Sequence, residues 1–225
     1  MTPFEQLLAS QESVFVIDTS IPISNYVSID LSISNASLAK KNLNTAAEYA
    51  VFINKYLEER GGQVAYGGYL EHRNLYQRST VFKNLETEER NIHIGLDLWI
   101  AAGTKVLAAL DGSVHSFQNN AGLGEYGPTI LLEHMLNNDI FYTLYGHLSL
   151  DSLTHLKIGQ KVVKGETIAT LGSSDVNGDY APHLHFQIIQ NLDDSHGDYP
   201  GVCSLTKVSF YKENCPNPKL LLNLH

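Results

Sequence analysis

The feature that most limits the fold of this chain is a series of short apolar runs from about residue 64 onward, separated by glycine and other turn residues. Helical periodicity is missing from this part of the chain, and short runs bounded by turn residues are typical of strands. The runs lie at 105–109, 112–117, 129–133, 141–148, 161–171 and 183–189. The sequence therefore predicts a mainly β fold, an antiparallel β-sandwich or open barrel.

The N-terminal part of the chain carries two helix-start signals. Thr2 is followed by proline and then by Glu5, and Thr45 is followed three residues later by Glu48. Both are capping-box patterns, in which a threonine and a glutamate satisfy main-chain N–H groups at the start of a helix. We expect a short helix after Thr2 and a longer one after Thr45, which ends at Gly61.

The chain divides into three parts by its pattern of apolar and turn residues. Residues 1–62 form a helix-containing extension, in which alternating apolar and polar side chains at 27–33 predict a half-buried strand. Residues 63–200 form the β domain, and residues 201–225 form a C-terminal tail with two cysteines. We find no fixed-period repeat and no low-complexity linker.

Charge and hydropathy exclude two classes of partner. The net charge is −9, and the longest run of basic residues is the pair Lys40-Lys41, so a nucleic-acid-binding surface is not expected. No apolar stretch approaches the roughly 20 residues that span a bilayer, so we expect no transmembrane segment. The oligomeric state stays open.

The cellular compartment is predicted from the first 20 residues and from cysteine usage. The start of the chain has acidic residues and no basic region of a secretory signal, which favours a cytoplasmic protein. The alternative is a periplasmic or exported protein whose leader has been removed. Cys203 and Cys215 are then two reduced thiols, or a bridge across the tail if the compartment is oxidising.

Two histidines stand two residues apart in His183-Leu184-His185-Phe186. On a strand they share one face, roughly 6.6 Å apart along the strand, while Leu184 and Phe186 point into the core. Such a pair can border one metal ion. The alternative is two surface histidines on an exposed strand.

A histidine and an aspartate lie four residues apart in the segment His93 to Asp97, with Gly95 between them. An extended chain would separate them by about 13 Å, too far to share one ion. A bend or bulge at Gly95 would bring them together. The alternative is a surface His and Asp that flank a turn.

Two imidazoles and one carboxylate are a ligand set of catalytic zinc sites, which leave a fourth position open for water or substrate. Zinc lowers the pKa of that water to about 7. Such a site still needs a proton acceptor and a group that stabilises the oxyanion, for which His147 and one histidine of the HxH pair are the candidates.

Taken together and in order, these motifs resemble the lysostaphin-type (LytM-like) metallopeptidases, metallopeptidase family 23, which cut peptide cross-bridges or stem peptides of bacterial peptidoglycan. The resemblance covers about residues 85–190, beginning with the HxGxD metal motif at 93–97. The other matching segments are 102–106, 109–114, 145–149 (YGHLS), 159–165, 168–172 and 182–186 (PHLHF).

The resemblance implies a LytM-like, duplicated-hybrid-motif fold and a zinc endopeptidase acting on a peptide or on peptidoglycan. Carried over residue by residue, it makes His93, Asp97 and His185 the ligands of one zinc ion (Zn2+) per chain. It makes His147 and His183 the catalytic histidines. The remaining histidines of the β region match no such position, and we interpret them as structural or solvated: His115, His134 and His155.

Residues 173–181 and 124–129 depart from the turns usual in the family. These variants resemble a less studied branch whose relatives can be joined to kinase-like and aminotransferase domains. The N-terminal extension could also occlude the groove by giving the metal a side chain, with Asp18, Asn25 and Asp30 as the donors considered.

Three other readings stay open at this point. The first is a catalytically silent LytM-like binding or regulatory module, although no ligand position is lost. The second is a lipoyl- or biotinyl-like carrier, suggested by residues 161–166, where no lysine sits in an attachment turn. The third is a cupin-like site, which lacks the glutamate expected soon after the HxH pair.

Overall fold

The computed structural model describes residues 1–39, 41, 43–73 and 88–224. Lys40 and the first three residues of the segment 85–190 lie outside the described residues. Strands predominate in the described part, so the prediction of a mainly β fold is confirmed. The strands are β1 Tyr26–Ser28, β2 Val64–Gly67, β3 Ile92–His93, β4 Leu96–Trp99, β5 Lys105–Leu107, β6 Gly112–Asn120, β7 Gly127–Leu136, β8 Asp139–Gly146, β9 Lys161–Val162, β10 Thr167–Thr170, β11 His183–Ile189 and β12 Val202–Cys203. The helices are α1 Pro3–Ala9, α2 Ala36–Ala39, α3 Ala46–Arg60, α4 Val208–Asn214 and α5 Lys219–Leu222.

One large sheet has the strand order β1-β2-β4-β11-β8-β7-β6-β9. All pairs of neighbouring strands in this sheet are antiparallel, except that β1 and β2 run parallel. Two small antiparallel ladders accompany it, β10 with β5 and β12 with β3. The N-terminal extension thus supplies the edge strand of the sheet that also contains β4 and β11.

The large sheet separates an apolar layer from the face that carries the polar motifs. Because successive side chains on a strand point to opposite faces, every second residue of β4 and β11 enters the larger core. The small β5–β10 ladder packs over that core, which gives the two-layer arrangement of a sandwich. The core members from these four strands are Leu96, Leu98, Leu184, Phe186, Ile188, Val106 and Ala169.

Both predicted N-terminal helices are confirmed, each with its capping box. The Thr2 and Thr45 side chains accept from the N–H groups of Glu5 and Glu48, and each glutamate side chain accepts from the cap's own N–H. α3 ends at Gly61, whose φ of 63° is the left-handed conformation that glycine adopts without steric cost.

The predicted strand at 27–33 is wrong over most of its length, because β1 ends at Ser28. Beyond it, the Ile29 N–H still donates to the Tyr66 carbonyl. The Leu31 N–H donates instead to a side chain, the Glu71 carboxylate, at 3.0 Å. The alternation of apolar residues reflects burial of Ile29 and Leu31 against α3, not continued strand pairing.

Cys203 and Cys215 are buried free thiols in one apolar cluster beneath the second face of the sheet. Burial raises the pKa of Cys203 to about 11 and that of Cys215 to about 12. Among the described residues, every helix is too short or too polar to cross a membrane.

Candidate metal centre

The register of β4 and β11 places the polar motifs side by side on the face opposite the main core. His185 pairs with Asp97, and His183 pairs with Trp99. Directly opposed residues of an antiparallel pair have neighbouring side chains on the same face. Strand pairing alone therefore brings the HxH pair next to the aspartate of the first motif.

His93 reaches the same place from β3, a short strand paired with β12 rather than with the large sheet. The chain turns between β3 and β4, so the predicted bend at Gly95 is present and His93 and Asp97 meet. Glycine is needed there for space. A Cβ on residue 95 would lie 2.5 Å from the His185 ring.

Three side-chain atoms converge as they would around one ion. His93 Nε2 lies 2.9 Å from His185 Nδ1, and Asp97 Oδ1 lies 3.2 Å from each of these nitrogens. Ligands of a tetrahedral zinc with bonds near 2.0 Å are roughly 3.3 Å apart. All three side chains are buried, and they form the one group of possible metal ligands found among the described residues.

The Asp97 carboxylate supports this interpretation because its two oxygens have different surroundings. Oδ2 pairs with the Arg73 guanidinium, whereas buried Oδ1 makes no hydrogen bond within the described part of the chain. A buried acceptor without a partner is costly and uncommon, so Oδ1 has the surroundings expected of a ligand atom. Burial alone would raise the pKa of Asp97, but the His93 and Arg73 charges hold that pKa well below its usual range.

The imidazoles of His93 and His185 are each oriented through their second nitrogen. His93 Nδ1 lies 3.0 Å from the Gly68 carbonyl, and His185 Nε2 lies 3.0 Å from Gln187 Oε1. A carbonyl oxygen can only accept, so each of these nitrogens carries the proton and the facing nitrogen has the free lone pair. Burial lowers the pKa of His93 to about 4, which keeps it neutral, as metal ligation requires.

His183 and His147 lie beside the three ligand atoms. His183 Nε2 is 3.7 Å from Asp97 Oδ1, and the His147 and His183 ring centroids are 4.3 Å apart. His183 Nδ1 donates to the Ala181 carbonyl at 2.7 Å, and His147 Nδ1 donates to the Asn177 carbonyl at 2.8 Å. In both neutral rings, Nε2 is therefore the proton acceptor.

The backbone at His147 is in the left-handed region, with φ of 63°. Such a conformation costs free energy in a non-glycine residue and is found more often at functional sites. It is held by main-chain bonds, from the His147 N–H to the Tyr126 carbonyl and from Gly172 N–H to the His147 carbonyl. The pKa of His147 lies well below its usual value, mainly because the side chain is buried and also because positive charge on His183 or His185 would repel a proton there. Burial also lowers the pKa of His183.

These side chains line a pocket of about 190 Å³. Two residues of the N-terminal extension, Leu31 and Tyr49, line this pocket. None of the donors considered for an occluding contact lines it: Asp18, Asn25 and Asp30. None of the histidines interpreted as structural or solvated lines it either: His115, His134 and His155.

Four residues at or next to the site are not predicted from the sequence motifs. Gln187 follows His185 by two positions on the same strand face, so strand periodicity could have identified it. Tyr126 packs over Gly146, and its hydroxyl lies 3.4 Å from His185 Nε2. Arg73 and Glu71 belong to no motif and reach the site through tertiary contacts alone.

Comparison with known proteins agrees with the geometry. Residues 91–196 match Peptidase family M23. The chain is 36% identical over 96 residues to an uncharacterized metalloprotease of Haemophilus influenzae, covering 42% of this chain and 18% of that protein. It is 33% identical over 99 residues to the glycyl-glycine endopeptidase ALE-1 of Staphylococcus capitis, covering 44% and 25%. It is 33% identical over 106 residues to the peptidoglycan DD-endopeptidase ShyC of Vibrio cholerae, covering 47% and 22%. The chain thus spans a quarter or less of the length of these relatives.

Proposed function

We propose that the chain is a zinc endopeptidase that hydrolyses peptide bonds of peptidoglycan, because residues 91–196 match peptidase family M23. The proposed scissile bonds are peptide bonds in the cross-links or in the stem peptides. The observation that carries the proposal is the triangle of His93 Nε2, Asp97 Oδ1 and His185 Nδ1, with sides of 2.9, 3.2 and 3.2 Å.

The donor set fits zinc better than magnesium or calcium. Two neutral imidazoles and one carboxylate oxygen are ligands that zinc accepts in catalytic sites, whereas magnesium and calcium prefer oxygen alone. Three protein ligands leave a coordination position for water or substrate. Zinc bound there would supply Lewis acidity and lower the pKa of a water molecule to about 7.

The two further histidines can move the proton that hydrolysis requires. His183 and His147 are neutral, buried and present Nε2 as an acceptor, because Nδ1 is committed to a main-chain carbonyl in each. One of them can take a proton from the attacking water. The same ring can return it to the amine nitrogen of the leaving peptide, so that the proton balance closes. Carbonyl partners on Nδ1 also keep each ring in place.

The peptidoglycan substrate is proposed by analogy with relatives. One is named as a glycyl-glycine endopeptidase and another as a peptidoglycan DD-endopeptidase, and each is similar over less than half of this chain. Fold and family do not fix a substrate, so the assay has to offer several peptide bonds.

The test is hydrolysis by the zinc-loaded full chain of intact sacculi, purified cross-linked muropeptides and a pentaglycine peptide, followed by mass spectrometry. We expect new amino and carboxyl termini at one class of bond. His147→Ala and His183→Ala should bind zinc and lose at least about 100-fold in rate, the lower range for a general acid–base group. His155→Ala, at an exposed histidine outside the pocket, is the matched control.

A zinc-loaded wild-type protein that cleaves none of these substrates would contradict the proposal and favour the silent binding module. Full activity in both His147→Ala and His183→Ala would contradict the roles given to these residues.

A further inference from the structure

A buried arginine lies directly behind the candidate metal centre. The Arg73 side chain is 2% exposed, and a charge that far from water is tolerated only with close partners of opposite charge. Among the described residues, Asp97 and Glu71 are two such partners of Arg73. Its Nη1 lies 2.5 Å from Asp97 Oδ2, and its Nε lies 2.6 Å from Glu71 Oε2.

The contact with Arg73 determines which oxygen Asp97 can offer to a metal. A free carboxylate can rotate and bind an ion with either oxygen or with both. Here the guanidinium holds Oδ2, and Oδ1 alone faces His93 and His185. The planar fork of arginine fixes direction as well as charge, which a lysine ammonium does not do.

Glu71 connects this pair to the N-terminal extension. Its second oxygen, Oε1, accepts from the Leu31 N–H at 3.0 Å. Two main-chain hydrogen bonds flank that contact. The Ile29 N–H donates to the Tyr66 carbonyl, and the Ile33 N–H donates to the His72 carbonyl. A continuous set of hydrogen bonds therefore runs from residue 31 through Glu71 and Arg73 to Asp97.

Trp99 also lies next to the Arg73 guanidinium. The guanidinium carbon lies 5.4 Å from the Trp99 ring centroid, and that ring stacks on His183 with centroids 5.6 Å apart. Trp99 also packs in one apolar cluster with Leu31 and with Ile53 of α3. The side chain of Arg73 is thus held by charge, by an aromatic face and by the extension.

We propose that Arg73 and Glu71 are positioning residues of the metal centre: Arg73 holds Asp97 as a one-oxygen ligand, and Glu71 couples Arg73 to the N-terminal extension. This inference rests on the proposed function, because it concerns the same zinc site. The extension is then a working part of that site. Charge alone predicts the opposite effect of removing Arg73, since a cation beside a zinc ion weakens its binding, so the two explanations can be separated.

The experiment measures the zinc dissociation constant of the full chain at pH 7 by competition with a chromophoric chelator. Absorption of the Co2+-substituted protein reports the ligand geometry. Loss of a group that orients a ligand typically costs about 10–100-fold in metal affinity. We expect Arg73→Met to lose affinity in this range, and Arg73→Lys and Glu71→Gln to lose about tenfold. In all three, the cobalt spectrum should change.

Two exposed residues of α3 give matched controls, Arg60→Met and Glu58→Gln, which should leave affinity and spectrum unchanged. Arg73→Met with wild-type or tighter zinc affinity and an unchanged cobalt spectrum would overturn the proposal. If that variant does not fold, Arg73→Lys decides, and an unchanged constant and spectrum in it overturn the proposal equally. A wild-type protein that binds zinc but hydrolyses nothing refutes the proposed activity alone, because affinity and spectrum still decide the role of Arg73.

Discussion

Replacing Gln187 by leucine removes the hydrogen-bond partner of His185, a proposed metal ligand, with a side chain of similar size. Gln187 is fully buried, and its Oε1 accepts from His185 Nε2 at 3.0 Å. Its amide nitrogen donates to the Pro200 carbonyl at 3.2 Å and lies 3.4 Å from Cys215 Sγ. The glutamine thus has a fixed direction, and the carbonyl end faces the imidazole.

The expected loss follows from what the His185 ring keeps after the change. Without Gln187, the hydrogen-bond partner that its Nε2–H keeps among the described residues is the Tyr126 hydroxyl at 3.4 Å, a longer and weaker contact. Loss of such an outer partner costs about 10–100-fold in metal affinity. That range corresponds to about 1.4–2.7 kcal/mol of binding free energy, and partial replacement by Tyr126 places the result toward its lower end.

The assay is chelator competition for zinc at pH 7, with Gln118→Leu on the exposed side of β6 as the matched control. A Gln187→Leu protein that binds zinc as tightly as wild type would refute the reasoning.

Three further predictions concern other parts of the molecule. Gly95→Ala should lower zinc affinity at least about tenfold, because the new Cβ would lie 2.5 Å from the His185 ring; unchanged chelator competition would contradict this. His134 is buried against Thr143 and the Asp111 carbonyl, and burial lowers its pKa to about 4, below the roughly 6.5 of an unfolded chain. The unfolded state therefore binds more protons between about pH 6.5 and 4, so the unfolding free energy should fall by about 3 kcal/mol as the pH falls through that window. Urea unfolding of metal-free His134→Gln should show a shallower decrease, and a slope equal to that of wild type would exclude the assignment. Thr45→Ala removes the cap of α3 and should cost about 1 kcal/mol of unfolding free energy, with a lower thermal midpoint but folded-state zinc affinity unchanged; a midpoint equal to that of wild type would count against the cap.

The part of the site that could be predicted is the part that strand periodicity and one glycine control. His183 and His185 share a face because they are two residues apart, and register places His185 opposite Asp97. The turn at Gly95 was expected from the distance between His93 and Asp97. Its reason, the space taken by the His185 ring, depends on a contact across 90 residues that no local pattern contains.

The contacts of Arg73 and Glu71 at the site could not be predicted from the sequence, because they depend entirely on tertiary structure. Asp97 is 24 residues from Arg73, and nothing in the intervening sequence predicts that a guanidinium will contact the Asp97 carboxylate. The same limit explains the strand expected at 27–33. Apolar alternation there is real, yet the Leu31 N–H is used by the Glu71 carboxylate instead of a neighbouring strand.

The helices of the N-terminal extension were predictable because caps are local. Thr2 and Thr45 each bond to a residue three positions away, within the reach of sequence patterns. The position of α3 was not predictable. It packs Ile53 and Leu57 against Trp99, next to the pocket, so the extension forms a wall of the site.

The most direct test of the metal centre is the zinc content of the purified full chain after loading and exhaustive dialysis, compared with His185→Ala and the exposed-site control His155→Ala. We predict one zinc ion per chain in wild type and in His155→Ala, and none retained by His185→Ala. A wild-type chain that holds no stoichiometric zinc, or a His185→Ala chain that keeps it, would contradict the account.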